Sequence, residues 1–557
     1  MRVAMNRRAT AGTTLGLAGA ALALGVLFLH VPAALWAGNV AEHQFGYWPF
    51  LGLGVCALLA GLALAALLLY LMPPRMRAVA ASAAGAVGVV WWVYGLLLVP
   101  DLPVLDGISP PITGADVPGI WELAVVIALT GLLGAAMWRH AVTATRTLLL
   151  LNAALVVASA VAVLSAPPRT WDAGDVAQSS VFRFSADVNV LVALLDGLQS
   201  NVAESEIRSD PAIAAALDGF ALYRDTLGVA PTTFLSMPAI HSGMVYPGHG
   251  DPGTYFSGEI ARHSFMTRFA DAGYDATLIN AIAGVCPDRV HCTTATQLLG
   301  ATGVRLRNES LRLLDLSLFR IAPFHYKPAV YGDGRWVARR ALGFSDDAEQ
   351  VLEGSRVFDR MAQGLTVDHD APPTLKFIHS FATHTPYVLD ARCVAGPTHI
   401  SRVGTQAHCA LEAVGHLLDR MKRAGVYDNT VILLIADHGL NAGLYAAAPT
   451  DSPEGWEHLR GSANPLFMLK PLRGHGAFHV DAAPVSLADV GATLCASASA
   501  CTGATGYPAG EAPPDRVRRF NQYEWRHEFW RTRHLPNLTA YEVHGPLDDS
   551  SSWRQAD

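Results

Sequence analysis

Asp437 and His438 stand side by side at the end of the apolar run Val431–Ile435, and Gly439 follows them. A carboxylate beside an imidazole offers two adjacent ligands to a divalent cation, and the glycine lets the backbone turn sharply where the chain leaves a strand. Two ordinary polar residues closing a strand would look the same, so the pair needs partners. Asp196 ends a second run, Asn189–Leu195 (NVLVALL), and His384 lies just beyond a third, Thr374–Ala382. In open α/β sheets, sites form beyond the carboxyl ends of the strands. If these runs are neighbours, Asp196, His384, Asp437 and His438 converge from segments more than 200 residues apart.

Such a site also needs a nucleophile. The segment Pro231–Gly243 (PTTFLSMPAIHSG) supplies hydroxyls ahead of a helix. A serine hydroxyl is a weak nucleophile unless a cation or a helix N-terminus stabilises its alkoxide. Ser236, just before Met237-Pro238, reads as a helix start because proline is tolerated in the first turn. It is either the nucleophile or only a helix cap, and Thr233 is the reserve hydroxyl three residues earlier.

Further strand candidates are Ala276–Asn280 and Pro465–Leu469. In Ile400–Ala424, Leu411, Val414, Leu417, Leu418 and Met421 recur at helical spacing. Strands alternating with helices predict a mostly parallel sheet covered on both faces. The tail after Asp548 is expected to be loose. Loop specificity would fall to Pro247–Phe256 and to Tyr523–Arg533, which is rich in Trp and Arg.

This globular part follows five apolar stretches, Thr13–Trp36, Trp48–Met72, Arg77–Pro100, Ile120–Trp138 and Thr147–Ser165, each near the roughly 20 residues that cross a bilayer. Arg2, Arg7, Arg8, Arg75, Arg77, Arg139 and Arg146 all flank one side of these spans. The opposite loops carry Glu42, Asp101, Asp106 and Asp116 with no Lys or Arg. Positive charge stays on the cytoplasmic side, so the N-terminus is inside and everything after Ser165 lies outside. A cleaved signal peptide would explain only the first stretch. The expected organisation is a five-span region over 1–166, a linker over 167–187 and an outer domain over 188–557, in a bacterial-type cell membrane. Cys286/Cys292, Cys393/Cys409 and Cys495/Cys501 form three close pairs. Local pairing is one of 15 connectivities open to six cysteines, and it suits an oxidising compartment. No pair has the Cys-x-x-Cys spacing of a structural zinc site. A net charge of −7 without a basic run implies no nucleic-acid partner. Oligomeric state is not legible.

Together, NVLVALLDGLQSN, FLSMPAIHSG, HSFATHTPY and YDNTVILLIADHG resemble the sulfatase branch of the alkaline phosphatase superfamily, in particular its membrane-anchored lipoteichoic acid synthases and phosphoethanolamine transferases. The resemblance runs from Asn189 to Leu494. It implies an α/β alkaline-phosphatase-like fold and one divalent metal, zinc or manganese, bound by Asp196, Asp437, His438 and the nucleophile oxygen. Ser236 matches the nucleophile position, with Thr233 in reserve, and His384 would contact the phosphoryl or sulfuryl oxygens. Sulfatases that use formylglycine need an Arg where Ile240 stands, which favours an unmodified hydroxyl and phosphoryl transfer. The implied reaction moves a phosphoglycerol or phosphoethanolamine head group from a membrane phospholipid to an envelope glycan or lipid. The alternatives are an ester hydrolase and an inactive lipid sensor. His475 and His479 are either further substrate or metal histidines or part of a solvated loop.

Overall fold

A computed structural model describes the chain except Met1 and residues 41–42, 44, 99–118, 168–179, 281, 300–302, 333–335, 343–345, 395–401, 441–454, 531 and 557. It divides into two units: Met1–Asp172 with Ala301–Ser345, and Ala173–Gly300 with Asp346–Asp557. The proposed linker, 167–187, falls largely outside the described residues.

In the first unit, helix α1 (Arg2–Gly25) runs through a π-helical turn, Val26–His30, into α2 (Val31–Gly38). Pro32 lacks an amide proton and would crowd the carbonyl of Phe28, so the widened turn just ahead of it has a direct cause. α3 (Tyr47–Leu71), α4 (Pro74–Leu96), α5 (Gly119–Arg139) and α6 (Ala141–Leu164) complete the set. Among the described residues, five helical segments are long and apolar enough to cross a membrane, as the five stretches anticipate. α1 and α4 meet through glycine: a Cβ on Gly19 would lie 2.4 Å from the Gly85 nitrogen, so only small residues allow this approach.

One boundary differs from the expectation. Residues 301–345, assigned above to the outer domain, belong with the membrane helices. Their main element, α7 (Gly303–Ile321), is amphipathic. Leu313 packs with Ala33, Trp36 and Phe50, while Leu314, Leu318 and Ile321 join the cluster around Leu22 and Val26. The apolar stripe that would have covered a sheet covers the ends of membrane helices instead.

The second unit is built on eight strands: β1 (Asn189–Leu195), β2 (Ala221–Tyr223), β3 (Asp275–Ile279), β4 (His291–Thr293), β5 (Thr374–Ser380), β6 (Thr430–Ile435), β7 (Phe467–Lys470) and β8 (His479–Asp481). Their order is β8-β2-β7-β6-β1-β5-β3-β4. β1 lies at the centre, parallel to β5 and β6, and only β7 is reversed. The continuous apolar runs of β1 and β6 follow from this topology, since strands covered on both faces have no polar side. Leu191, Ile432 and Leu434 pack toward Leu411, Val414 and Leu417 of the Val403–Ala424 helix. Val192, Leu433 and Ile435 pack on the other face against Leu235, Met237 and Ile240 of the Thr233–Ser242 helix.

A three-stranded sheet, β9 (Arg518–Gln522), β10 (Thr539–Val543) and β11 (Trp553–Gln555), closes the chain. The tail is therefore ordered, contrary to expectation, because Trp553 packs on Trp456, Phe520 and Tyr541. The three disulfides are Cys286–Cys292, Cys393–Cys409 and Cys495–Cys501, each the local pairing.

Candidate active site

β1, β5 and β6 end side by side, and their last residues lead into one buried polar cluster. Asp196 follows β1 and is 1% exposed; Asp437, two residues past β6, is fully buried. Asp437 Oδ1 accepts the Gly197 N–H at 3.0 Å, which ties the two strand ends together. Asp196 Oδ2 lies 3.0 Å from His379 Nε2, and Thr383 donates to the Asp196 carbonyl at 2.7 Å. The imidazole of His438 places Nε2 3.5 Å from Asp437 Oδ2 and 3.8 Å from Asp196 Oδ1. Its Nδ1 donates to the Gly439 carbonyl at 2.9 Å, which leaves Nε2 to face the carboxylates.

Asp196 Oδ1 and Asp437 Oδ2 are both buried, and among the described residues no group hydrogen-bonds to either. Two orphaned carboxylate oxygens in a desolvated pocket are costly unless a cation compensates them. Ligand atoms of Asp196, His379 and Asp437 also lie within 4.8 Å of one another. The donor set therefore fits a divalent cation. The electrostatics agree: burial alone would raise the Asp196 carboxyl, yet the His379 hydrogen bond and the fields of His384, His379 and His438 outweigh it and hold the group well below the usual carboxylate range. Burial alone would lower His438, but Asp437, Asp196 and the Gly439 carbonyl raise it. Positive charge is favoured at this point.

The structure separates the two hydroxyl candidates. Thr233 opens the Thr233–Ser242 helix and its Oγ1 is 3.5 Å from Asp196 Oδ2. Ser236 was expected at the helix start; it lies one turn inside, fully buried, and donates to the Ala230 carbonyl at 3.2 Å. The reason is depth, since three residues advance about 4.5 Å along a helix. The reserve candidate is the one that reaches the cluster. His384 is exposed, donates from Nδ1 to the Thr385 carbonyl at 2.6 Å, and is close enough to act on Asp196 electrostatically. His475 and His479 are elsewhere. His475 pairs with Asp218 and Asp428, and Asp428 precedes the opposite end of β6, roughly 20 Å away at about 3.3 Å per strand residue.

Two residues escaped the sequence reading. His379 sits inside the β5 run, where a lone histidine looks like part of the strand; its signal was being polar one residue before the strand's carboxyl end. Tyr523 had none. It comes from 291 positions after Thr232, bonds that residue's hydroxyl and accepts the Leu235 N–H, so it caps a helix whose own N-cap side chain makes no such bond. Trp525 and Trp530 from the same segment each lie 4.6 Å from Phe234, forming an aromatic wall next to Thr233.

No curated protein matches the chain. Among solved structures it is similar to a phosphonate monoester hydrolase from Silicibacter pomeroyi at 16% identity, covering 64% of this chain and 85% of that one, with a TM-score of 0.37. A protein in the alkaline phosphatase superfamily from Vibrio parahaemolyticus is similar at 13% identity, with coverages of 68% and 83% and a TM-score of 0.39. The lipoteichoic acid synthase LtaP from Listeria monocytogenes is similar at 12% identity, with coverages of 58% and 74% and a TM-score of 0.32. The Sulfatase family model matches residues 347–500, a stretch that contains His379, His384, Asp437 and His438, whereas Asp196 and Thr233 precede it. The similarity to the Sulfatase family thus spans residues 347–500 of this chain.

Proposed function

We propose that the chain is a membrane-bound, metal-dependent transferase that moves a phosphoglycerol or phosphoethanolamine head group from a membrane phospholipid to an envelope glycan or lipid. A covalent ester on Thr233 links the two half-reactions. The observation that carries this reading is the Thr233 hydroxyl, held at a helix N-terminus 3.5 Å from Asp196 in a chain with five span-length apolar helices. Those helices keep a lipid donor within reach of an enzyme that never leaves the bilayer, with the second unit on the outer side.

Asp196, Asp437, His438 and Thr233 Oγ1 would hold one zinc or manganese ion, and His379 would orient Asp196. Bound there, a divalent cation would lower the pKa of the Thr233 hydroxyl and offset charge on a non-bridging phosphoryl oxygen. Thr233 Oγ1 attacks phosphorus in line, forming a new O–P bond as the bond to the diacylglycerol oxygen breaks. The N-terminal end of the Thr233–Ser242 helix favours the negative charge that develops beside it. His384, exposed and oriented through its own Nδ1, contacts the phosphoryl oxygens. The acceptor hydroxyl oxygen then attacks the phosphorus, its new O–P bond forming as the Thr233 Oγ1–P bond breaks, and its proton returns to Thr233 Oγ1. Formylglycine chemistry has no support: Ile240 stands where its recognition arginine would, and Ser236 is buried.

The test is the full chain in liposomes containing head-group-labelled phospholipid. Diacylglycerol release should require a divalent cation, fall about 10³-fold or more in Thr233→Ala, and change by less than about fivefold in Ser236→Ala. Label should be trapped on Thr233 when acceptor is withheld. Hydrolysis of an aryl sulfate without diacylglycerol release would favour the ester-hydrolase reading and overturn this one.

A further inference from the structure

The membrane unit contains a cleft that head-group transfer does not explain. It has a volume of about 420 Å³, within the range of small-molecule sites. Phe28 from the π-helical turn, Phe50, Leu53 and Ala57 from α3, and Leu311 and Leu314 from α7 line it, and every lining residue is apolar except Arg307 and Ser310. The α3 residues fall in that helix's first three turns, within about 15 Å of its start at 1.5 Å per residue. A bilayer's hydrocarbon core is about 30 Å thick, so the cleft spans about one leaflet.

Its two polar residues sit together. Arg307 and Ser310 are one turn apart on α7, and the Ser310 hydroxyl donates to the Leu306 carbonyl at 2.6 Å. Arg307 is the cationic residue among those lining the cleft. α7 reaches this place only because residues 301–345 leave the polar half of the sequence and pack among helices of membrane-spanning length.

We propose that the cleft binds one acyl chain of a membrane phospholipid whose phosphate is held by Arg307. Charge complementarity selects this occupant: a planar guanidinium matches a phosphate in a forked geometry, and the apolar lining matches a hydrocarbon tail. A water-soluble peptide would not reach cleft walls built from span-length helices. The site lies wholly within the membrane unit, and its occupancy goes beyond the transferase reading and needs no turnover.

The experiment uses the full chain in nanodiscs doped with phosphatidylglycerol carrying a diazirine in its acyl chain, with adducts mapped after irradiation. Adducts should concentrate on Phe50–Ala57 and Leu306–Leu314 relative to the exposed face of α5 at Leu129 and Leu132. Filling the cleft with Ala57→Trp should remove most of them. Arg307→Gln, which keeps the helix and loses one charge-assisted hydrogen bond, should lower them about tenfold. Leu132→Trp, an equal bulk on a lipid-facing surface, should change nothing. Adducts spread evenly over all exposed helices, or a pattern that neither Ala57→Trp nor Arg307→Gln alters, would show ordinary surrounding lipid and overturn the proposal.

Discussion

The two units satisfy their polar groups in opposite ways. In the membrane unit the hydroxyls of Thr130, Thr145 and Ser159 each donate to the carbonyl four residues earlier on the same helix, at 2.7–2.8 Å. In the second unit Asp196 meets His379 across 183 positions and Gly197 meets Asp437 across 240. Leucines invert in the same sense: Leu64 on α3 is 57% exposed, and Leu194 on β1 is fully buried. A helix in hydrocarbon must settle its hydrogen bonds locally, because no water is there to accept the remainder. A water-exposed unit can leave polar groups for distant partners, and such partners can assemble a site. The membrane unit has exceptions, such as Asn152 donating to the Ala18 carbonyl at 3.0 Å and His30 Nδ1 meeting the Ser159 hydroxyl at 3.2 Å, and Glu122 is the most informative of them. It accepts from the Tyr94 hydroxyl at 2.5 Å and the Phe324 N–H at 2.8 Å, tying the inserted 301–345 segment to α4 and α5.

If long-range polar pairing makes the site, breaking it should cost far more than breaking a local bond. The largest effect is expected for Asp437→Asn. The variant keeps an oxygen for the Gly197 N–H but loses the charge opposite His438. Elemental analysis of the purified full chain should show bound metal falling from near one equivalent to below about a tenth, with turnover down about 10³-fold or more. Metal retained at wild-type level would break the comparison. Tyr523→Phe should have an intermediate effect. Removing the hydroxyl that caps the Thr233–Ser242 helix should lower stability by about 1 kcal/mol and kcat about tenfold with KM unchanged. An equal loss of kcat in Phe529→Leu, which alters the same aromatic cluster without touching the cap, would reduce Tyr523 to a packing residue.

The third effect concerns pH. His241 is buried between Phe265 and Phe377 and bonded to Ser264, and burial lowers its pKa from 6.5 to about 3. Between those values the unfolded chain binds a proton that the native state refuses, so stability is full above about 6.5 and falls as pH drops toward 3. The expected slope is about 1.4 kcal/mol per pH unit. His241→Asn preserves a donor to Ser264 and removes the titration. Thermal melts of the full chain in detergent between pH 7 and pH 4 should lose less in the variant than in the wild type; parallel curves would show that His241 does not titrate with folding.

Much of this molecule was legible from local pattern, for a physical reason in each case. Span-length helices and both-face-buried strands impose composition on every residue they contain, so α3 and β1 could be read directly. Asp196, Asp437 and His438 were legible because they interrupt apolar runs where parallel strands present their carboxyl ends. The choice between Thr233 and Ser236 was not. Both hydroxyls share one helix, and which of them meets Asp196 depends on how far that helix is pushed along the sheet, a matter of packing. His379 was hidden inside a strand and Tyr523 lay 291 positions from the residue it bonds. The placement of 301–345 was hidden as well, because an amphipathic helix reads the same whether its apolar face covers a sheet or a membrane helix. The sequence alone determined which segments seek hydrocarbon, which form buried strands, and which acids and imidazoles end them. Only the tertiary structure decided which hydroxyl faces those acids, what caps its helix, and which surface α7 covers, because each is a contact between residues whose own types are compatible with several partners.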